Sequence, residues 1–279
     1  MTQSRMFHPE AETDDELGFM VMLLDLQDAA PPIRRLRDWA LDRAQPRPGE
    51  VALDVGSGTG TMVRTLAALV APQGRAIGVE PNPKLRELAA SRAAALAGAD
   101  FVDGLAADLP LADDSVDLLW CERVLQHVAD AQAAVTEFAR VLRPGGRAVL
   151  LDSDHGTRIT AGIPEVVEAK LAGAFRSQIA NPRSARHIPE QAIRAGLTVE
   201  PDIGSSALIF SPQVLVESNL VPENARLAVA SGLFTSAEAD EAVRLVRDAA
   251  TAGHAYAAVT MFGFVLRKPA RLAAKDGSV

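Results

Sequence analysis

A short apolar run, Val51 to Val55, leads directly into Gly56-Ser57-Gly58-Thr59-Gly60, and this turn opens onto a helical pattern through Met62, Val63, Leu66, Leu69 and Val70. A buried strand, a tight glycine turn and an amphipathic helix in that order begin a βαβ unit, which commits the chain to a parallel sheet covered by helices. Glycine lets the backbone turn in the left-handed region and lets a ligand approach where a Cβ would stand. The loop does not end in the Gly-Lys-Ser/Thr of a phosphate-cradling ATPase turn. A dinucleotide fingerprint would need its third glycine at position 61, which is Thr61, and here an acid, Asp54, precedes the first glycine. A tight turn with no ligand is the plain alternative, to be settled by what surrounds the loop.

The alternation continues. Ala76 to Val79 reads as the second strand, and Asn82 caps the next helix with Pro83 at its first position, where proline's missing N–H costs nothing. A third strand is expected at Ala99 to Val102 and a fourth at Val116 to Trp120. A helix capped by Asp130 and stopped by Pro144-Gly145-Gly146 follows, then a fifth strand at Arg147 to Leu151. Beyond Asp154 the pattern changes to helical segments near 160–190 and 212–252, an extended segment at 198–210 and a last apolar run at 256–267. The expected fold is α/β: a Rossmann-like, doubly wound, seven-stranded sheet, mostly parallel with an antiparallel last strand, plus a helical cap. Gly263 counts against that last strand. Residues 1–48 form the N-terminal helical cap in this reading, 49–155 the cofactor-binding core, and 156–279 the rest of the sheet with helical lid insertions.

The second strand ends at Glu80, on the carboxyl edge where open α/β sheets bind ligands, and a carboxylate there can accept both hydroxyls of a ribose. Further along stand Asp103-Gly104-Leu105-Ala106-Ala107-Asp108-Leu109-Pro110, Cys121-Glu122-Arg123-Val124-Leu125-Gln126-His127-Val128 and Arg140-Val141-Leu142-Arg143-Pro144-Gly145-Gly146. With the glycine loop, these resemble the ordered motifs of class I S-adenosylmethionine-dependent methyltransferases. The resemblance is to the small-molecule branch related to the ubiquinone and menaquinone methyltransferases (methyltransferase type 11), over about residues 49–155. It implies S-adenosyl-L-methionine as cofactor, held by Asp54, Gly56, Ser57, Gly58, Gly60, Glu80, Pro81, Leu105, Ala106, Cys121 and Glu122, with Cys121 acting through its backbone carbonyl. One departure stands out. Many relatives carry an aspartate for the adenine amino group where this chain has Leu105, which leaves the backbone of Leu105 and Ala106, or the side chain of Asp108, to take its place.

A sulfonium is already a good leaving group, so the resemblance implies in-line displacement in which alignment supplies much of the catalysis, on the order of 7–11 kcal/mol in well-oriented cases. A base is needed only if the acceptor must lose a proton. His127 and His155 are the catalytic candidates, each weighed against a packing or turn role, and the aspartates beside His155 are placed to orient its ring. Phe7, Phe19, Met20, Met22, Leu23, Phe175, Leu208, Phe210, Leu215, Leu220, Phe234 and Met261 are candidates for an apolar acceptor chamber, although by base rate most such residues are core.

The net charge of −8 disfavours a nucleic-acid partner. A single Cys121 forms no internal disulfide and no metal set, which suits a reducing cytoplasm. No apolar stretch approaches the roughly 20 residues that span a bilayer, so no membrane insertion is expected. The expected partner is a small-molecule acceptor, methylated on O, N or C, with a homodimer left open. The alternative is an S-adenosylmethionine-binding protein of the same fold that works as a cyclase or binding module without transfer, and a nicotinamide oxidoreductase stands third.

Overall fold

A computed structural model describes residues 14–271; Phe7, His8 and the first residues of the expected cap lie outside them. Five strands come first: β1 (Val51–Val55), β2 (Arg75–Val79), β3 (Ala99–Val102), β4 (Val116–Glu122) and β5 (Leu142–Thr160). The helices between them are α3 (Thr61–Val70), α4 (Pro83–Ala93) and α5 (Ala131–Val141). Before them lie α1 (Asp14–Ala29) and α2 (Pro31–Ala44), the second beginning at the Pro31-Pro32 break. After β5 come α6 (Glu165–Ser177), α7 (Ser184–Arg194), β6 (Thr198–Val199), β7 (Gly204–Phe210), α8 (Pro212–Glu217), α9 (Leu220–Ala230), α10 (Ser236–Thr251) and β8 (Ala257–Arg267).

The strands join in the order β3-β2-β1-β4-β5-β8-β6, with β7 also paired to β8. β1 to β5 are mutually parallel, and β8 runs antiparallel to β5, β6 and β7. The sheet has eight strands where seven are expected, because the 198–210 segment divides around Pro201, which has no N–H to continue a ladder. β5 also runs past residue 155, the expected end of the core, to Thr160.

Alternation along the strands supplies two cores. Leu118, Trp120, Val149 and Leu151 pack on one face, while Leu119, Cys121, Ala148 and Leu150 pack on the other. Strands buried on both faces read as continuous apolar runs, and these do.

Gly263 has a specific purpose. It sits opposite Gly204 in the β7–β8 register, and a Cβ at either position would fall inside the indole of Trp39, at 2.7 Å and 2.4 Å. The two glycines form a flat seat for α2. Arg147 fastens the end of the same helix, donating to the carbonyls of Ala44 and Gln45 and pairing with Glu50 at 2.7 Å. The C-terminal half of α2 is thereby tied to the sheet.

Candidate functional site

The strand order reverses direction between β1 and β4, and the carboxyl edges there border a cavity of about 680 Å³. Gly56, Gly58 and Gly60 all have positive φ, of 70°, 51° and 78°. A Cβ on Gly56 would lie 2.4 Å from Val124 Cγ2, and one on Gly60 would lie 2.8 Å from the Phe101 ring. The loop is drawn down onto the sheet by hydrogen bonds from Gly56 N and Ser57 N to Val79 O. Its next amide, Gly58 N, donates at 2.9 Å to Glu80 Oε2, whose other oxygen accepts from Asn82 N at 3.0 Å. The glycine turn and the acid ending β2, separated in sequence, meet on one wall.

Asp54, Gly56, Ser57, Gly58, Glu80, Pro81, Leu105, Ala106, Glu122, His127 and His155 all line the cavity. Two expected ligands do not. Gly60 is one step deeper, at the start of α3, where Phe101 and Ala89 fill the space beside it. Cys121 points its side chain into the core, and burial, followed by the charge of Asp152, pushes its thiol well above the ordinary range. Asp108 is exposed outside the cavity lining, and its backbone closes a turn with Leu105 that also engages the Leu105 N–H.

Around the loop the charge is mainly acidic. Burial, then the nearby Glu122 carboxylate, pushes the Asp54 carboxyl well up from its usual range. Arg37 from α2 clasps Glu122 through Nε at 2.7 Å and reaches Asp28 of α1 at 2.6 Å. Arg123 adds a bond to Asp28 at 3.0 Å and another to Gln27. Glu122 lines the cavity with its oxygens already taken, by Arg37, Arg123 and the Trp120 indole. Its first task is to hold the N-terminal helices across the site. Arg37 shows how this was legible: it falls four residues after Ile33, on the buried stripe of α2 with Leu36 and Ala40, where an arginine needs a partner.

The histidines sit at the far side. Burial, with Arg123 second, lowers the His127 pKa to about 3, and burial, with Arg158 second, does the same for His155. His155 Nε2 lies 2.7 Å from Gln126 Oε1, and the Gln126 amide nitrogen is turned to Arg123 O, so the ring nitrogen is the donor. The aspartates expected to orient His155 are used elsewhere. Asp154 pairs with Arg186, and Asp152 accepts from Gln126 N and Ser153 N while burial lifts its pKa to about 7. Gln126 and Arg158 were not singled out by sequence, because nothing in their local pattern distinguishes them from ordinary strand-end and loop residues.

Of the expected apolar chamber, Phe19, Leu23, Phe175, Leu208, Phe210 and Leu220 line the cavity. Leu215, Phe234 and Met261 belong to the core, Met20 is buried, and Met22 is exposed. Among the described residues, no group of acidic, histidine or cysteine side chains could hold a metal, and no helix is long and apolar enough to cross a membrane.

Residues 53–150 match the family model described as a methyltransferase domain. A protein of Streptomyces fradiae described as an uncharacterized 37.1 kDa protein in transposon TN4556 is 33% identical over 255 residues, covering 91% of this chain and 71% of that one. The demethylmenaquinone methyltransferase of Symbiobacterium thermophilum is 37% identical over 110 residues, 38% of this chain; the match spans 44% of that enzyme's own length. Among solved structures, phosphoethanolamine N-methyltransferase 2 of Haemonchus contortus in complex with S-adenosyl-L-methionine superposes with a TM-score of 0.60 at 18% identity, covering 96% of this chain and 60% of that one.

Proposed function

The chain belongs to the class I S-adenosylmethionine-dependent methyltransferases, and from that premise we propose how its residues share the work. The site fits the cofactor on its own evidence. Gly56 and Gly58 present bare backbone to the cavity, Ser57 Oγ is buried with no partner, and the carboxylates of Asp28, Asp54, Glu80 and Glu122 outnumber Arg37 and Arg123. A ligand carrying a sulfonium and an ammonium relieves that crowding of like charge.

When bound, the cofactor supplies an electrophilic methyl group. In our reading Glu80 holds the ribose hydroxyls, Asp54 faces the cationic end, Gly56 to Gly58 offer backbone against the methionine part, and Pro81, Leu105 and Ala106 flank the adenine. Gly60 and Cys121 shape the wall from behind. The observation that carries this is the Gly58 N to Glu80 Oε2 bond at 2.9 Å, which brings the two diagnostic motifs to one point of the cavity.

A general base works best with a pKa near the operating pH, and His127 and His155 are both held near 3. Their proposed role is therefore to align the acceptor as neutral hydrogen-bonding walls, and an acceptor that needs no strong base is favoured. The acceptor is a small molecule seated between the histidines and α6, α7's neighbouring loop and α9; its methylated atom is O, N or C. Cytoplasmic location and a homodimer belong to this proposal too.

No feature of the cavity favours a cyclase or binding role over transfer. Calorimetry with S-adenosylmethionine, S-adenosylhomocysteine and NAD, followed by S-adenosylhomocysteine release against an acceptor panel, tests the assignment. Micromolar binding of the first two with none of NAD is expected; binding of NAD alone refutes it.

A further inference from the structure

The cavity's charge is unevenly distributed. Arg37 and Arg123, near the glycine loop, are each matched by carboxylates. Arg158, at the other end, is not: among the described residues it has no ion pair and no hydrogen bond, and its one specific contact is the Phe175 ring, 4.0 Å from its Cζ. That contact covers a face of the guanidinium and leaves the in-plane N–H donors unused. His155 packs on the same Phe175 ring, with centroids 5.1 Å apart. Burial draws the Arg158 pKa down to about 10, so it keeps its charge at neutral pH. Phe175, Ile179, Leu208, Phe210 and Leu220 give the cavity apolar lining, beside Gln178, Asn224 and a Glu223 already paired with Arg226.

Arg158 is only partly buried, its charge faces the cavity with no ion pair, and a guanidinium fork fits a carboxylate in bidentate fashion. We propose that Arg158 is a specificity residue that receives an anionic oxygen group of the acceptor, so that the acceptor is an apolar acid with one carboxylate-like head and not a neutral lipid. This rests on the reading that the chamber beside the histidines holds the acceptor. Phe175 acts as a platform that fixes the plane of the fork, and the head group is anchored there while the apolar body extends along the chamber.

The test uses two fluorescent probes of one ring skeleton on protein saturated with S-adenosylhomocysteine: anionic 8-anilinonaphthalene-1-sulfonate and uncharged N-phenyl-1-naphthylamine. Arg158→Gln should weaken the anionic probe by roughly tenfold, the equivalent of one charged hydrogen bond, and leave the uncharged one unchanged. Arg158→Lys should fall between. 1-Naphthoate should displace the anionic probe from the wild-type protein and 1-naphthamide should not, which ties the site to a carboxylate and not to the sulfonate of the dye. No anionic binding, equal losses for both probes, or equal competition by acid and amide would overturn the proposal. S-adenosylhomocysteine affinity, measured in the same samples, reports separately: its absence from the wild-type protein would defeat the cofactor assignment, and its persistence in Arg158→Gln shows that the variant is folded.

Discussion

The two ends of the cavity are built differently. The wall we assign to the cofactor comes from strand ends and loops close together in sequence, Asp54 to Glu122, and is shaped by backbone: glycines at positive φ, amides on Val79 O, a carboxylate braced by two N–H groups. The wall we assign to the acceptor draws on Gln126, His155, Arg158 and Phe175, and then Leu208, Leu220 and Val259, and is shaped by side chains. A wall of backbone leaves little freedom to vary, whereas a wall of side chains can change its chemistry without disturbing the sheet. α1 and α2 join the two, through Arg37 and Arg123.

That contrast can be broken most severely at the join. Arg37→Ala leaves the largely buried Glu122 and Asp28 to share Arg123 alone and should cost about 3 kcal/mol of stability in urea unfolding, the low end for breaking a buried pair; adding Glu122→Gln should restore part of it. A loss under about 1 kcal/mol would mean that the helices are not anchored through this pair.

Gly56→Ala comes next. A left-handed backbone with a Cβ costs about 1–2 kcal/mol, and the collision with Val124 adds about 1–3 kcal/mol, so cofactor affinity by calorimetry should fall at least about thirtyfold. Unchanged affinity would show that the loop adapts, contrary to a backbone-built wall. Glu80→Gln keeps the shape, removes the charge and turns an NH2 group onto one of the two amides that Glu80 accepts, so it should weaken cofactor binding by about 2 kcal/mol and cost about 1–3 kcal/mol in unfolding.

The acceptor end should respond to pH instead. His127 and His155 fall from 6.5 to about 3 on folding, so their contribution to stability is intact above 6.5 and is lost as pH drops toward 3. The slope is about 1.4 kcal/mol per pH unit for each imidazole. Asp152 runs the other way: raised from 3.8 to about 7, its contribution is present below 3.8 and is lost as pH rises through 7. Comparing wild type with His127→Gln/His155→Gln isolates the histidines, and the double variant should lose less stability between pH 6.5 and 4. Smallest of all, Asp108→Ala should change cofactor affinity and stability by less than about 0.5 kcal/mol, since the residue is an exposed turn acid.

The difference between the walls also explains how far the chain could be read. The first five strands, the Asn82 and Asp130 caps and the glycine loop are local events, set by apolar runs, capping side chains and φ preferences over a few residues, and the structure has them where the pattern places them. The exception inside that stretch is β5, whose length follows from pairing with β8 and not from its own sequence. Gly263 looked like a weakness in its strand because the side chain that occupies its space, Trp39, lies more than 200 positions away. Glu122 was expected as a cofactor ligand, and the structure adds a partner 85 positions away, Arg37. His155 looked oriented by its neighbouring aspartates, and Gln126 holds it instead.

By itself, the sequence determined the βαβ order and the carboxyl edge that borders the cavity, because strand burial, glycine conformation and helix capping are short-range physics, and its ordered motifs carried the family resemblance that implies the cofactor. Only the tertiary structure decided which charges are matched and which, like Arg158, are left facing an apolar chamber. Ion pairing and burial depend on distances across the fold, and no spacing along the chain records them.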